Sequence, residues 1–440
     1  MNHKPLFHSA IIAAAMMTSA FAPSPALSAV QSVSGPLTAA SANAAVEAFY
    51  VRRAEAKLWF RDARTIEAAA ALPTILRRAP LEGLADGPRL AGQVEAAILS
   101  GRTGTPAAIA AAERVLSNAW VTYVQTIQTP TKGMIYGDPM VRPNVQRPDQ
   151  ILGLASIAPS LADHLNGVAS VNPLYAALRE AAVREAALPG GGMSDKLVSN
   201  LERARAIPAK GRFLVIDVPS ARLTMYENGS PVDSMKVIVG MPAYPTPMIA
   251  SMIHYTTFNP YWHVPDHLVR KTVAPNVIKQ GAAYLKARGY EVVSEWSNSA
   301  AIIPASDVDW KGVVAGTAEV KVRQLPGGAN SMGKMKFPFA NGEGIYLHDT
   351  PNKELFAKSQ RDLSNGCIRV EDAPRLARWL FRQEPAALTS KAPEQHVQLG
   401  SGVPVFVTYL TALPGNGELT INKDVYGLDR GTQSRVAALR

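Results

Sequence analysis

The sequence predicts a multi-domain α+β protein in which an α-helical scaffold domain precedes a β-rich domain, itself interrupted by an inserted helical capping subdomain. Three observations predict it. From Ala44 to about Arg205 the chain is rich in Ala and Leu, and apolar residues recur at helical spacing. From Arg212 the period becomes two, with Phe213, Val215 and Asp217 alternating with Leu214, Ile216 and Val218. Between Trp262 and about Gly316 helical spacing returns, and strand-like segments then resume. The expected divisions are a signal peptide over 1–29, the scaffold over 30–207, the β-rich domain over 208–427 with its insertion at about 262–316, and a loose tail over 428–440.

Lys4, the apolar stretch 10–22 and the small residues of 23–29 have the order of a secretory signal, with cleavage after Ser28 or Ala29 both open. Residues 30–42 form a small, polar lead. Ala45, Phe49, Ala54, Leu58 and Phe60 begin one helix-period segment; 109–124 and 173–187 are others. Pro189-Gly190-Gly191-Gly192 reads as a break, and Ser194 as the N-cap of a helix over 195–205. Strands are expected at 223–226, 235–239, 254–258, 345–348 and 403–410, with Glu227-Asn228-Gly229-Ser230 as a hairpin turn. Helices are expected at 266–269, 274–279 and 282–288 in the insertion and at 373–382 after it.

A hydrophobic fraction of 47% with 18% charged residues suits a protein with a substantial core, and the length suits two or three domains. The apolar stretch 10–22 is too short to span a bilayer, and no other segment reaches about 18 apolar residues, so the reading is export across a membrane without stable insertion in it. The net charge of +10 is diffuse; no compact Lys/Arg tract with interleaved aromatics points to nucleic acid. An anionic wall polymer or plain solubility accounts for it equally well.

Cys367 is the only cysteine, in Ser364-Asn365-Gly366-Cys367-Ile368-Arg369-Val370, and His348 in Tyr346-Leu347-His348-Asp349-Thr350 precedes it by 19 positions. A lone thiol forms no internal disulfide and makes no zinc site by itself, whereas a thiol with a histidine in reach is equipped for acyl transfer. His263 and His267 are four apart and His254 lies upstream, but Pro265 intervenes and no acidic or thiol ligands cluster nearby; no metal and no cofactor is expected. His164 and His396 have no motif around them.

The two segments together carry His-x-x, a 15-residue spacer, then Ser-x-Gly-Cys-hydrophobic-Arg, and so resemble the signature of the L,D-transpeptidase family with a YkuD-type catalytic domain. The resemblance extends to 213–240, to Pro245-Thr246-Pro247, to Asn259-Pro260-Tyr261-Trp262-His263-Val264-Pro265, to Arg323-Gln324-Leu325-Pro326-Gly327 and to Asn330-Ser331-Met332-Gly333-Lys334-Met335-Lys336-Phe337. These segments are similar to the large periplasmic branch, with a helical scaffold and a capping insertion. Many members carry a second histidine where this chain has Asn365; that branch lacks it too, leaving His348 as the motif's base. The stretch around 189–192 is too short for the wall-binding module often found there in the branch.

The resemblance implies a Cys367 nucleophile and a His348 base, with the second imidazole nitrogen anchored on the backbone carbonyl of Asp349; the Asp349 carboxylate is the alternative anchor. Gly366 gives the backbone freedom, and its N–H with that of Cys367 forms the expected oxyanion hole. Arg369 is expected to bind a substrate carboxylate or else to pair with Glu371 or Asp372. Asn365 and Ser364 shape the turn, with Ser364 hydrogen-bonding near the thiol. Tyr346 and Trp262 line the groove or pack in cores. The implied partners are peptidoglycan stem peptides as donor and acceptor, with protein partners unknown. The same Cys/His pair could serve an L,D-carboxypeptidase, a cross-link endopeptidase or a protein-to-wall attachment enzyme, and a catalytically inactive wall-binding scaffold is the rival of another class. A papain-like protease fits less well, because its histidine follows its cysteine.

Overall fold

The computed structural model describes residues 39–188, 195–297, 299–385, 391–414 and 419–429. The signal at 1–29, most of the following lead, the 189–192 break, the Ser194 cap and residues 430–440 of the tail lie outside the described residues.

The scaffold is built from the helices Ala39–Arg52, Ala63–Ala69, Leu72–Arg78, Gly87–Gly101, Pro106–Gln128, Pro148–Ile157, Leu161–Ser170 and Pro173–Ala186, followed by Asp195–Ala204. The first helix stops at Arg52, before Leu58 and Phe60, because Ala54 and Glu55 take positive φ values of 50° and 61°. Leu58, Trp59 and Phe60 are still buried, so apolar spacing alone ran the helix too far. What holds them is a carboxylate: Glu113, buried on the long helix, accepts the N–H groups of Leu58, Trp59 and Phe60 at 2.9, 2.9 and 2.7 Å and the Tyr50 hydroxyl at 2.7 Å. Each buried donor thereby gains the partner it needs.

The β-rich domain has eight main strands: β1 Phe213–Asp217, β2 Arg222–Glu227, β3 Ser230–Gly240, β4 Ile249–Phe258, β5 Met335–Pro338, β6 Tyr346–His348, β7 Ile368–Val370 and β8 Gln395–Thr408. Their order is β4-β8-β1-β2-β3-β7-β6-β5, and β5 pairs back onto β4, so the sheet closes on itself. The β2–β3 turn has Asn228 and Gly229 at φ 52° and 79°, the left-handed pair a two-residue hairpin requires. Strand β8 starts eight residues before the expected 403, because a register shift between Gln398 and Val403 lets the polar stretch remain paired with β4. One face of the wall, with Leu214, Leu223, Val237, Phe337, Leu347, Ile368 and Val405, closes around helix Ala373–Phe381. The other face of β1, with Phe213 and Val215, joins Tyr175, Leu178, Leu197 and Leu201 of the scaffold helices in a second core. With both faces covered, β1 is buried throughout, which explains why Phe213–Ile216 are apolar on both faces of the alternation.

The insertion leaves after β4 and forms a separate core from Val264, Val269, Val273, Val277, Val292, Trp310, Val313 and Val322. Besides its helices it contains a three-stranded sheet, Trp262–His263, Lys321–Gln324 and Tyr290–Val293, with Lys321–Gln324 in the middle. This returning strand carries the insertion past 316 to Gln324, since it pairs with the strand that opened it. Residues 428 and 429 of the expected tail are docked rather than loose: Arg203 donates to the Leu428 carbonyl at 2.7 Å and forms a buried ion pair with Asp429 at 2.9 Å. Among the described residues, no helix is long and apolar enough to cross a membrane.

Candidate active site

Strand register brings the chemistry together. His348 on β6 is the cross-strand partner of Lys336 on β5 and of Arg369 on β7, and Thr257 on β4 continues the row. Residues in one row project to one face, and here it is the face away from the barrel core, because Phe337, Leu347 and Ile368 occupy the other. Tyr346, two residues before His348, and Cys367, two before Arg369, fall on that same face.

His348 is buried, and its Nδ1 lies 2.6 Å from the backbone oxygen of Asp349. A carbonyl only accepts, so Nδ1 carries the hydrogen and Nε2 keeps its lone pair. The Asp349 carboxylate is engaged elsewhere: it accepts from Lys353 Nζ at 2.8 Å and from the Lys334 N–H at 2.9 Å. Gly333, at φ 60°, makes room for it, since a Cβ there would lie 2.3 Å from Asp349 Oδ2.

The loop before β7 is held by three hydrogen bonds. Ser364 Oγ donates to the Cys367 carbonyl at 2.6 Å and accepts the Gly366 N–H at 3.1 Å, while Thr246 Oγ1 donates to the Gly366 carbonyl at 2.6 Å. Gly366 itself sits at φ 111°, a conformation that suits glycine. Its N–H is therefore taken by Ser364, which corrects the expected two-donor oxyanion hole and leaves the Cys367 N–H of that pair. Ser364 braces the loop rather than touching the thiol, and Asn365 is exposed at its tip.

Burial pushes the Cys367 thiol up, against the N–H and hydroxyl of Tyr346 and the charges of Lys336 and Arg369, all of which favour thiolate. Burial, with Arg369 next, lowers the His348 imidazole to about 3. The resting pair is thus neutral thiol and neutral imidazole. Arg369 has neither Glu371 nor Asp372 as a partner: Glu371 accepts the Lys236 N–H and Asp372 the Arg375 N–H.

Tyr346, His348, Cys367 and Arg369 are brought together, while Trp262 packs in the insertion against Tyr290 at 6.3 Å. The three histidines weighed as ligands go separate ways, His254 to Asp138, His263 to Trp296 and His267 to Tyr244. Sequence reasoning passed over Lys336, whose Nζ lies 4.1 Å from the Tyr346 ring centroid, and Thr246. The signal for Lys336 was present, as a lysine between two apolar strand residues, Met335 and Phe337.

Comparison with known proteins finds similarity over both halves of the chain. The YkuD L,D-transpeptidase catalytic domain family matches residues 211–405, and a scaffold-domain family matches 44–181. A putative L,D-transpeptidase of Haemophilus influenzae is 28% identical over 318 residues, 70% of this chain; the match spans 64% of that relative's length. Among solved structures, an L,D-transpeptidase from Mycobacterium smegmatis is 14% identical, with 46% of this chain and 59% of that chain covered and a TM-score of 0.22. L,D-transpeptidase 3 from Mycobacterium tuberculosis is 15% identical, with 46% and 62% covered and the same TM-score of 0.22. A YkuD L,D-transpeptidase catalytic domain is thus matched over the segment that carries the thiol–imidazole face described above, with a scaffold-domain match ahead of it.

Proposed function

We propose that the protein is a periplasmic L,D-transpeptidase that cross-links peptidoglycan stem peptides through a thioester on Cys367, with the scaffold at 30–207 and the catalytic domain at 208–427. The observation that carries the reading is the shared outer face on which Cys367, Tyr346 and His348 stand, with Nδ1 of His348 fixed on Asp349 O. The Cys367 sulfur attacks the carbonyl of the L-centre in a donor tetrapeptide while its proton passes to Nε2 of His348. Because both groups start neutral, proton transfer accompanies attack. The Cys367 N–H faces the developing oxyanion, and the Tyr346 hydroxyl stabilises negative charge on sulfur. Collapse breaks the peptide bond, and the terminal D-amino acid leaves with the proton from His348. The amine of a neighbouring stem then attacks the thioester, gives its proton to His348, and the departing sulfur recovers it. Arg369 takes a substrate carboxylate, consistent with its lack of a protein carboxylate partner among the described residues. Trp262 contributes from the cap side and Asn365 from the loop tip.

Mass spectrometry of tetrapeptide muropeptides incubated with wild type and Cys367→Ala tests this. A cross-linked dimer lacking one terminal D-amino acid, absent with Cys367→Ala, is the expected product, and a carbapenem adduct on Cys367 is expected in parallel. Tripeptide alone would assign a carboxypeptidase. No product and no adduct would favour the inactive scaffold.

A further inference from the structure

We infer that Lys336 is a carboxylate-binding residue of the substrate cleft: its ammonium and the Arg369 guanidinium, on either side of His348, receive two carboxylates of one donor peptide. The inference rests on the proposed reading of the site as one that holds a stem peptide. It names a substrate class, a peptide with two free carboxylates, that a thiol and an imidazole alone would not require.

Lys336 stands in the same cross-strand row as His348 and Arg369, one strand to the other side. It is half-buried, and among the described residues no hydrogen bond or ion pair engages its ammonium; its contact is the Tyr346 ring at 4.1 Å. The carboxylate whose charge it feels is Glu394, but Glu394 Oε2 accepts the Tyr261 N–H at 2.6 Å and is held at the base of the insertion. Burial lowers the ammonium's pKa, so the position is unfavourable for a cation that meets no anion. The barrel does not need it, because Met335 and Phe337 supply the core contacts of β5. Nor is it the hydrogen-bonding partner of the thiol, whose neighbours of that kind are Tyr346 and the Gly344 carbonyl. A half-buried ammonium that feels Glu394 and Cys367 only at a distance, with no hydrogen-bonded carboxylate among the described residues, is a site for an arriving anion.

The spacing sets the ligand. Strands β7 and β5 are separated by β6, so the backbones of Arg369 and Lys336 stand about 9–10 Å apart. An extended peptide covers that distance in about three residues. The open side is bounded by the insertion: the His263 ring, exposed and 4.5 Å from Trp296, feels the charges of both Glu394 and Lys336. Lys336 is half-buried rather than enclosed, and the insertion's exposed His263 lies near enough to feel its charge.

The test measures binding of tetrapeptide donors to Cys367→Ala and to the same protein with Lys336→Met or Lys336→Arg. The donors carry either all free carboxylates or a single amide in place of one stem carboxylate other than the C-terminal one. Lys336→Met should weaken the free-acid donor by about 10- to 100-fold. One amidated donor should show the same loss on the Lys336 background and no further loss on Lys336→Met, and Lys336→Arg should retain most of the affinity. Equal affinity with and without Lys336 overturns the inference. So does a loss of equal size for every amidated donor, which would make Lys336 a structural or thiol-directed residue. Wild-type product analysis reports separately on the proposed function: donor binding that depends on Lys336, without any stem product, would sink that reading and leave the carboxylate site standing. A carbapenem adduct on otherwise wild-type Lys336→Met confirms that the variant folds.

Discussion

On the scaffold side, the barrel wall runs into the helices without a seam. Phe213, Val215, Ala250 and Phe406 share one apolar core with Tyr175, Leu178, Leu197 and Leu201, and the scaffold strand Ile135–Tyr136 pairs in parallel with β4. Arg203 reaches across to Asp429 and to the Tyr409 and Leu428 carbonyls, and Asn200 exchanges hydrogen bonds with Thr411 and Ala412. On the cap side the insertion keeps its own core, and polar links and a ring stack join it to the barrel. Asn330 holds the carbonyls of both its legs, Pro260 on the way out and Gln324 and Leu325 on the way back. Glu394 holds Tyr261, and near the site Tyr244 stacks on His267 at 5.4 Å and accepts from Lys271 at 3.1 Å. The same barrel is thus fused to one neighbour and tethered to the other. The difference teaches that the scaffold belongs to the stability of the barrel wall, whereas the insertion, with its own core, can be perturbed apart from it.

The largest effect should come from breaking the fused side. Arg203→Leu leaves the buried Asp429 carboxylate without its cation, and removing one partner of such a pair costs about 3–5 kcal/mol. Chemical denaturation should show that loss in the transition of the whole protein, barrel and scaffold together. A loss confined to the scaffold would contradict the shared core.

On the tethered side, Asn330→Ala should cost about 1–3 kcal/mol, because the carbonyls it satisfies are at the neck of the insertion. Its signature is local: amide exchange should rise within 262–324 while the barrel strands keep their protection. If protection falls equally in β1 and β8, the cap is not a separate unit.

The site itself adds a pH dependence that belongs to the wall and not to the cap. Folded His348 stays neutral down to about pH 3, while the unfolded residue takes up its proton near 6.5. Between those values the unfolded state binds more protons, so this contribution to stability is whole above about pH 6.5 and is lost as pH falls toward 3. Denaturation from pH 4 to 7 should give a wild-type slope steeper than that of His348→Gln by up to about 1.4 kcal/mol per pH unit. Equal slopes would mean the imidazole is not held neutral.

Much of the wall was legible in the chain. The period-two run at 213–218, the Asn228-Gly229 turn and the His348–Cys367 segments are local signals, and each lies where pairing or turn geometry demands those residue types. What escaped was set by partners far away in sequence. Leu58 and Phe60 keep helical spacing yet leave the helix because Glu113 binds their backbone. The Gly366 N–H looked free for an oxyanion, and only the loop's three-dimensional closure shows that Ser364 holds it. Residues 428 and 429 look like a tail until Arg203, more than 200 positions earlier, is seen to bind Asp429. Gln324 and Asn330 were legible as members of recurring segments, but their work at the neck of the insertion follows only from which carbonyls they reach.

The smallest change tests the most specific part of the comparison. Tyr244→Phe keeps the ring that stacks on His267 and removes the hydroxyl that Lys271 donates to. One hydrogen bond of this kind is worth about 0.5–1.5 kcal/mol, so the global transition should scarcely move. The Tyr244 backbone also borders the catalytic loop, since a Cβ on Gly366 would lie 3.9 Å from the Tyr244 carbonyl. A tether at that point links the cap to the loop that carries Cys367. Tyr244→Phe should therefore change the rate of Cys367 alkylation by a small neutral reagent by a few-fold, while Arg203→Leu at a temperature where it remains folded should not. Lys271→Met should reproduce the effect, because it removes the other half of the same contact. Unchanged alkylation in both variants would show that the cap's contact near the loop does not govern access to the thiol, and the links at Asn330 and Glu394 would then carry the tethering.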